Sequence, residues 1–282
     1  MIFWVASYPK SGNTWLRALL SSYYYSENGF FNQFLLNNIG QFPEKKFFEK
    51  FDYDPTLVTD TARFWIKAQE KINEDKKLKF LKTHNFLGKI NDNNFTNKQN
   101  TVGGVYIVRD PRNVITSLKN HYEFSIDQAL NFMTNEKIYI FDKFKKNDYS
   151  DFQFLSSWEK HYKSWKNQKN FPIKIIKYED LSHKTFEIFK EIIEFINRSI
   201  NSKNSFNITK AKNAIESTSF KKMKYIESNE GFKESVLSKS TLNKIPFFHL
   251  GPKNDWKNLH DLNLQKKLNY IFNENLKELN YI

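Results

Sequence analysis

The sequence predicts an α/β fold, a mostly parallel sheet covered by helices on both faces. Three observations predict it. Four short apolar runs, Ile2–Ala6, Lys79–Lys82, Val105–Val108 and Ile173–Lys177, have the length and composition of buried strands. Helical patterns lie between those runs, and strands alternating with helices favour a parallel sheet. A chain of 282 residues is also long enough to bury a real core without the disulfides it cannot form.

The elements follow in chain order. Ile2–Ala6 runs into the stretch SYPKSGNTWLR, residues 7–17, and then into a helix over Thr14–Tyr25 with Trp15, Leu16, Leu19 and Leu20 on one side. Further helices are expected over Thr61–Asn73, Arg112–Tyr122, Phe152–Asn167 and Thr185–Asn197, the last with Phe186, Phe189, Ile193 and Ile196 in step. The connecting pieces Ser26–Asp60, Asn85–Gly103 and Ser125–Tyr149 are polar, rich in aromatic residues and long for loops. They are expected to serve as lids or binding loops, although buried core is the commoner fate of phenylalanine. Leu262–Ile282 reads as a terminal amphipathic helix packed on the sheet. No repeat and no proline- or glycine-rich linker divides the chain, so one domain over residues 1–282 is expected.

Composition bounds the classes of function. With no cysteine, thiolate nucleophiles and cysteine-ligated metals are excluded. A formal charge of +13 attracts polyanions, anionic lipids or phosphorylated small molecules. The lysines accompany many Asn, Phe and Ile residues, all with A/T-rich codons, so charge alone does not point to nucleic acid. No stretch approaches the roughly 20 apolar residues of a transmembrane segment. The opening apolar run stops at Ala6, too short for a signal peptide. A cytoplasmic protein is the expectation.

Three stretches can carry chemistry. The first is the loop at residues 7–17, which joins a strand to a helix. There the backbone N–H groups and the helix dipole favour an anion, and Lys10 adds a full charge. Gly12 allows close approach of the backbone, and Ser11 and Thr14 can donate to phosphate oxygens. The loop lacks the second glycine and the Gly-Lys-Ser/Thr ending of an ATP-binding loop. The second stretch is FLKTHN, which sets Lys82 and His84 at a strand end, where open α/β sheets present ligand crevices. Histidine can accept a proton near neutrality, its ordinary pKa being about 6.5. The third is YIVRDPRNVITSLKNHY. Arg109 closes a strand, Pro111 starts a helix, and Ser117 lies two turns along that helix, on the side of the arginine. A forked donor beside a short hydroxyl suits a second phosphate group.

Together these stretches resemble the cytosolic-type sulfotransferase family. The family's Tyr-Pro-Lys-Ser-Gly-x-Thr-Trp loop matches Tyr8 to Trp15, with Asn13 at the variable position. Its Lys-x-His matches Lys82 and His84, and its Arg with a Ser eight residues on matches Arg109 and Ser117. KYEDL resembles the segment that places Tyr178 near an adenine. STSFKKM resembles the one that sets Thr218 at the base edge and Phe220 against its face, with Trp15 on the other. HLGPKNDWKN resembles the late Arg-Lys-Gly-x-x-Gly-Asp-Trp-Lys-Asn motif and retains Gly251 and Asp255 to Asn258. It departs from that motif at His249 and Leu250, where two cations are usual, and at Asn254, where the second glycine stands. Arg109, Ser117 and the Gly251 backbone, or Lys253 or Lys257 turned inward, are left to replace the lost cations.

The resemblance implies a P-loop NTPase-like three-layer fold in a single sulfotransferase domain. The co-substrate implied is 3′-phosphoadenosine 5′-phosphosulfate, with no metal. A phosphosulfate asks less of its loop than a triphosphate with its magnesium does. Lys10, Ser11, Gly12, Asn13 and Thr14 would hold its 5′ end and Arg109, Ser117 and Gly251 its 3′-phosphate. His84 would be the general base toward an acceptor hydroxyl or amine, assisted by Lys10 and Lys82. Small-molecule, lipid and glycan acceptors all remain open, as does the oligomeric state. Two readings compete: a nucleotide or small-molecule kinase, which shares the strand–loop–helix start, and a non-catalytic protein for nucleic acid or an anionic surface. Nucleic-acid binding is not expected, since neither zinc-ligand spacing nor an aromatic-basic RNA signature is present.

Overall fold

The computed structural model describes residues 1–142, 147–238, 241 and 243–282. Its strands are β1 (Ile2–Ser7), β2 (Lys79–Thr83), β3 (Lys89–Ile90), β4 (Asn93–Asn94), β5 (Thr101–Val108), β6 (Tyr139–Ile140), β7 (Gln153–Phe154), β8 (Ile173–Lys177), β9 (Val236–Leu237) and β10 (Lys244–Ile245). The helices that matter for the site are α1 (Asn13–Tyr25), α2 (Trp65–Ile72), α3 (Pro111–Tyr122), α4 (Ile126–Thr134), α5 (Trp158–Asn167), α6 (Tyr178–His183), α7 (Thr185–Ser199), α8 (Ile208–Ser217) and α9 (Phe220–Glu230).

The four expected strands form one parallel sheet in the order β2–β1–β5–β8. All six residues of β1 are buried, because neighbouring side chains enter different layers. Ile2, Trp4 and Ala6 pack with residues of α3, α4 and α5. Phe3 and Val5 pack on the other face with residues of α1, α7 and α8. A strand covered on both faces has no polar side to present, which is why the apolar runs carried the signal. The chain leaves β1 toward β2 on one side and continues through β5 to β8 on the other. A crevice therefore opens at the carboxyl ends of β1 and β5, where the winding changes direction.

Several boundaries differ from expectation for identifiable reasons. The helix expected from Phe152 begins at Trp158, where the Ser157 hydroxyl accepts from Lys160 N. Residues 153–154 are instead extended and pair with β6. The helix expected over Thr61–Asn73 divides into a 3-10 turn, Asp60–Phe64, and α2. The terminal helix breaks at Phe272, and Leu268, Phe272, Leu276 and Leu279 enter the core.

The first long insert lends side chains to the core, since Phe42 and Phe48 are fully buried against Trp4, Trp65 and their neighbours, while most of its other residues stay at least partly exposed. Ser125–Tyr149 contains α4, opened by a Ser125–Gln128 capping box, and β6. Residues 143–146 of that insert lie outside the described residues. No helix among the described residues is long and apolar enough to cross a membrane.

Candidate active site

Between β1 and α1 the chain turns through Tyr8–Gly12, with φ of 65° at Lys10 and 100° at Gly12. A Cβ on Gly12 would lie 2.5 Å from the Tyr178 ring, so both the backbone angle and the space require glycine there. Asn13 Nδ2 donates to Val5 O at 3.0 Å and ties the loop to its strand. The 13-residue helix α1 starts without a side-chain cap, which leaves its first N–H groups as ready anion donors.

This helix start opens into a cavity of about 500 Å³. Lys10, Gly12, Asn13, Thr14, Trp15, Lys82, His84, Arg109, Ser117, Tyr178, Thr218, Phe220 and Gly251 all line it, although they come from distant parts of the chain. Of the predicted residues only Ser11 does not; its hydroxyl is buried without a partner.

At one end, Arg109 Nη1 donates to Lys10 O at 3.2 Å and to Ser117 Oγ at 3.3 Å, and the guanidinium lies 4.3 Å from the Tyr178 ring centre. Asn254 Nδ2 also donates to Ser117 Oγ, at 3.0 Å. With two N–H groups directed at its oxygen, the Ser117 hydroxyl gives its own hydrogen to Asn113 O, at 3.5 Å the longest of its contacts. Arg109 Nε and Trp15 Nε1 are buried donors without partners. Gly251, with φ of 54°, abuts Phe220, and a Cβ there would meet the ring at 2.4 Å. The Thr218 hydroxyl donates to Ala214 O at 2.7 Å, so toward a base edge it offers only an acceptor.

The other end holds His84, directly after β2. Its Nδ1 lies 2.7 Å from Ser7 O. A carbonyl can only accept, so Nδ1 carries the hydrogen and the neutral ring keeps its lone pair on Nε2. Burial, then Lys82, hold the His84 pKa well below the usual range. Burial likewise lowers Lys82. The Lys10 ammonium, 3.8 Å from the Phe247 ring centre, is pulled down by burial to about 7 against the opposing pull of Glu234.

Three cavity residues escaped the sequence reading. Glu234 accepts from Thr14 Oγ1 at 2.5 Å and pairs with Arg17. Burial alone would raise its carboxyl, but Arg17 and Lys82, helped by the hydrogen bonds from Thr14 and Arg17, hold it below the usual carboxylate range. No local pattern marks Glu234, which reaches Thr14 across 220 residues. His121 also lines the cavity, and burial followed by Lys10 lowers it to about 3. Its place four residues after Ser117 on α3 was a usable signal. Asn254, noted in the sequence only as a departure, turns out to hold Ser117.

Asp110 caps α3 by accepting from Arg112 N at 2.9 Å and pairs with the Arg112 guanidinium at 2.7 Å. Those bonds occupy the carboxylate that a kinase reading would assign to magnesium. Among the described residues, no group of three His, Asp or Glu side chains could hold a metal ion.

The family profile described as Sulfotransferase domain matches residues 2–280. Sulfotransferase 1A1 of Rattus norvegicus is 25% identical over 263 residues, covering 90% of this chain and 77% of the relative. Sulfotransferase 1E1 of Bos taurus is 24% identical over 277 residues, covering 97% and 82%. Among solved structures, mouse sulfotransferase SULT7A1 complexed with PAP matches with a TM-score of 0.58 at 20% identity, over 98% of this chain and 84% of that one. Retinol dehydratase in complex with androsterone and inactive cofactor PAP matches with a TM-score of 0.53 at 16% identity, over 98% and 80%. At such identities the structural likeness concerns the three-layer fold.

Proposed function

This chain belongs to the sulfotransferase domain family, and on that footing we propose that it transfers a sulfuryl group from 3′-phosphoadenosine 5′-phosphosulfate to a hydroxyl or amine of a small molecule, within one domain. The observation that carries this reading is convergence. Residues from Lys10 to Gly251 line one cavity, with an uncapped helix start at its wall and a histidine of defined tautomer at its end.

The residues present fit the donor. Arg109 Nε and Trp15 Nε1 are buried donors without partners, and the Ser117 hydrogen, held by Asn113 O only at 3.5 Å, can turn to a phosphate oxygen. Gly12 and Gly251 keep clear two places where a Cβ would collide with an aromatic ring. Arg109 and Ser117, with Ser117 held by Asn254, take over the 3′-phosphate in place of the cations absent at His249 and Leu250. When bound, the donor supplies an electrophilic sulfuryl group and a 5′-phosphate leaving group.

His84 Nε2 takes the proton from the acceptor, and the Ser7 carbonyl steadies the imidazolium through Nδ1–H. Lys10, desolvated and close to the helix start, neutralises charge at the phosphate end, and Lys82 adds to the field. Tyr122, Ile140, Phe247 and Phe248 give the acceptor side apolar walls. These suit a hydroxyl-bearing molecule with an apolar body better than a glycan or a nucleic acid. A cytoplasmic location accompanies this reading, because the resemblance is to the cytosolic-type enzymes.

The test is His84→Ala. It should keep its affinity for adenosine 3′,5′-bisphosphate (PAP) and lose turnover by about 10²–10⁴-fold, the usual contribution of a general base. Near-normal turnover would overturn the assignment. Turnover with ATP and magnesium, and none with the phosphosulfate, would restore the kinase reading.

A further inference from the structure

His161 lies on α5, on the buried face shared with Trp158, Tyr162 and Trp165. It is fully buried and does not line the cavity. A histidine in such an apolar layer is costly unless both ring nitrogens are satisfied. Here both are. Nε2 lies 2.9 Å from the main-chain oxygen of His84. That oxygen can only accept, so Nε2 carries the hydrogen. Nδ1 must then accept, and its partner is the Tyr106 hydroxyl at 2.8 Å. Burial lowers the His161 pKa to about 4, so the ring stays neutral and this arrangement persists around neutral pH. The ring also stands edge-on to Tyr8, the first residue of the anion loop, with centroids 5.4 Å apart.

The segment it holds belongs to no strand, although Phe86 N donates to Phe154 O of β7 at 2.6 Å. β2 ends at Thr83, and residues 84–87 are fastened by long-range bonds. His84 N donates to Gln153 Oε1 at 2.7 Å, and Trp165 Nε1 donates to Asn85 O at 3.0 Å. Phe154 N donates to Asn85 Oδ1 at 2.9 Å. Only His161 reaches the His84 carbonyl among the hydrogen bonds of the described residues.

We propose that His161 is a positioning residue for His84. Its Nε2–H, in the tautomer that the His84 carbonyl demands and the Tyr106 hydroxyl supports, clamps the His84 peptide so that the imidazole keeps Nδ1–H on Ser7 O and Nε2 toward the cavity. The proposal rests on the reading of His84 as the general base. Without the clamp, the 84–85 peptide has an unpartnered oxygen and keeps only its N–H bond, from Asn85 N to Thr83 Oγ1 at 3.0 Å, about which it can tilt. A misplacement of about 1 Å at a catalytic group typically costs on the order of 10²-fold in rate.

The test uses the full chain with His161→Phe, His161→Gln and Tyr106→Phe, and with His84→Ala as reference. Glutamine can place an N–H donor near the position of Nε2, whereas phenylalanine keeps the ring shape and removes the donor. Three readouts are taken: PAP affinity, kcat and KM with the phosphosulfate donor and 4-nitrophenol as probe acceptor, and ¹⁵N-histidine NMR of the His84 ring.

For His161→Phe we expect PAP affinity within about twofold of wild type, KM within a few-fold, and kcat lowered by roughly 30–100-fold. The NMR signal should show that His84 no longer holds a single Nδ1–H tautomer. His161→Gln should recover kcat to within a few-fold, and Tyr106→Phe should fall between the two. A His161→Phe protein with wild-type kcat and an unchanged His84 signal overturns the proposal. Joint loss of kcat, PAP affinity and melting temperature without rescue by glutamine also overturns it, because that is the mark of a merely structural role. If His161→Phe fails to fold, Tyr106→Phe decides, and an unchanged kcat and NMR signal in it refutes the clamp. An active His84→Ala protein would sink the general-base reading instead. The NMR signal would then still report whether His161 holds the His84 ring.

Discussion

Burial pulls the Lys10 ammonium down to about 7, even though Glu234 opposes the shift. A phosphate brought to the start of α1 adds negative charge beside it and should return it toward its ordinary value of about 10.4. The pKa in the complex is then the higher one, so binding takes up a proton. The favourable contribution is fully present below pH 7 and is lost as pH rises from 7 toward 10. Between pH 7.5 and 9.0 this linkage weakens PAP binding by roughly 20-fold, or about 1.8 kcal/mol. The phosphate groups do not blur this window, since their second ionisation lies near about pH 6.

Isothermal titration at pH 8, in buffers of different ionisation enthalpy, should register uptake of about 0.9 proton per PAP bound. Lys10→Arg, charged throughout, should bind PAP with little pH dependence over the same window. A flat wild-type profile without proton uptake would refute the reasoning. It would mean either that Lys10 does not approach the phosphate or that burial does not lower it.

Two further outcomes follow from the cavity walls. Gly251→Ala places a Cβ 2.4 Å from the Phe220 ring at a φ of 54°; it should destabilise the fold by about 1–2 kcal/mol. Displacing Phe220 should also weaken PAP binding about tenfold, and a variant of unchanged melting temperature and affinity would remove Gly251 from the site. Glu234→Gln should tighten PAP binding roughly five- to tenfold, because it removes a like charge from an anion site. The Thr14 hydroxyl, with one hydrogen to give, then no longer donates to a carboxylate. Weaker binding in calorimetry would show that the pairing with Arg17 matters more than the competition.

What could be read early was local. An apolar run ending at Ala6, followed by Lys10, Gly12 and Thr14, describes a strand, a turn and a helix start within about twenty residues, and the structure has them within a residue of those places. Arg109, Pro111 and Ser117 share one helix start, so their spacing already put the serine on the side of the arginine. Boundaries were less legible where tertiary partners intervene. The composition of Gln153 and Phe154 allows a helix, but pairing with β6 and hydrogen bonds exchanged with residues 84–86 keep them extended. The aromatic inserts were equally ambiguous, since a phenylalanine reads the same in a lid as in a core.

The sequence by itself determined the parallel α/β frame, the anion loop and the residues at three strand ends. These depend on periodicity, turn chemistry and charge within a few turns of chain. Only the tertiary structure decided that Glu234 meets Thr14 across 220 residues, Asn254 meets Ser117 across 137 and His161 meets His84 across 77. Such contacts leave no periodic mark, because each is made by one side chain whose partner is brought to it by the packing of the whole sheet and its helices.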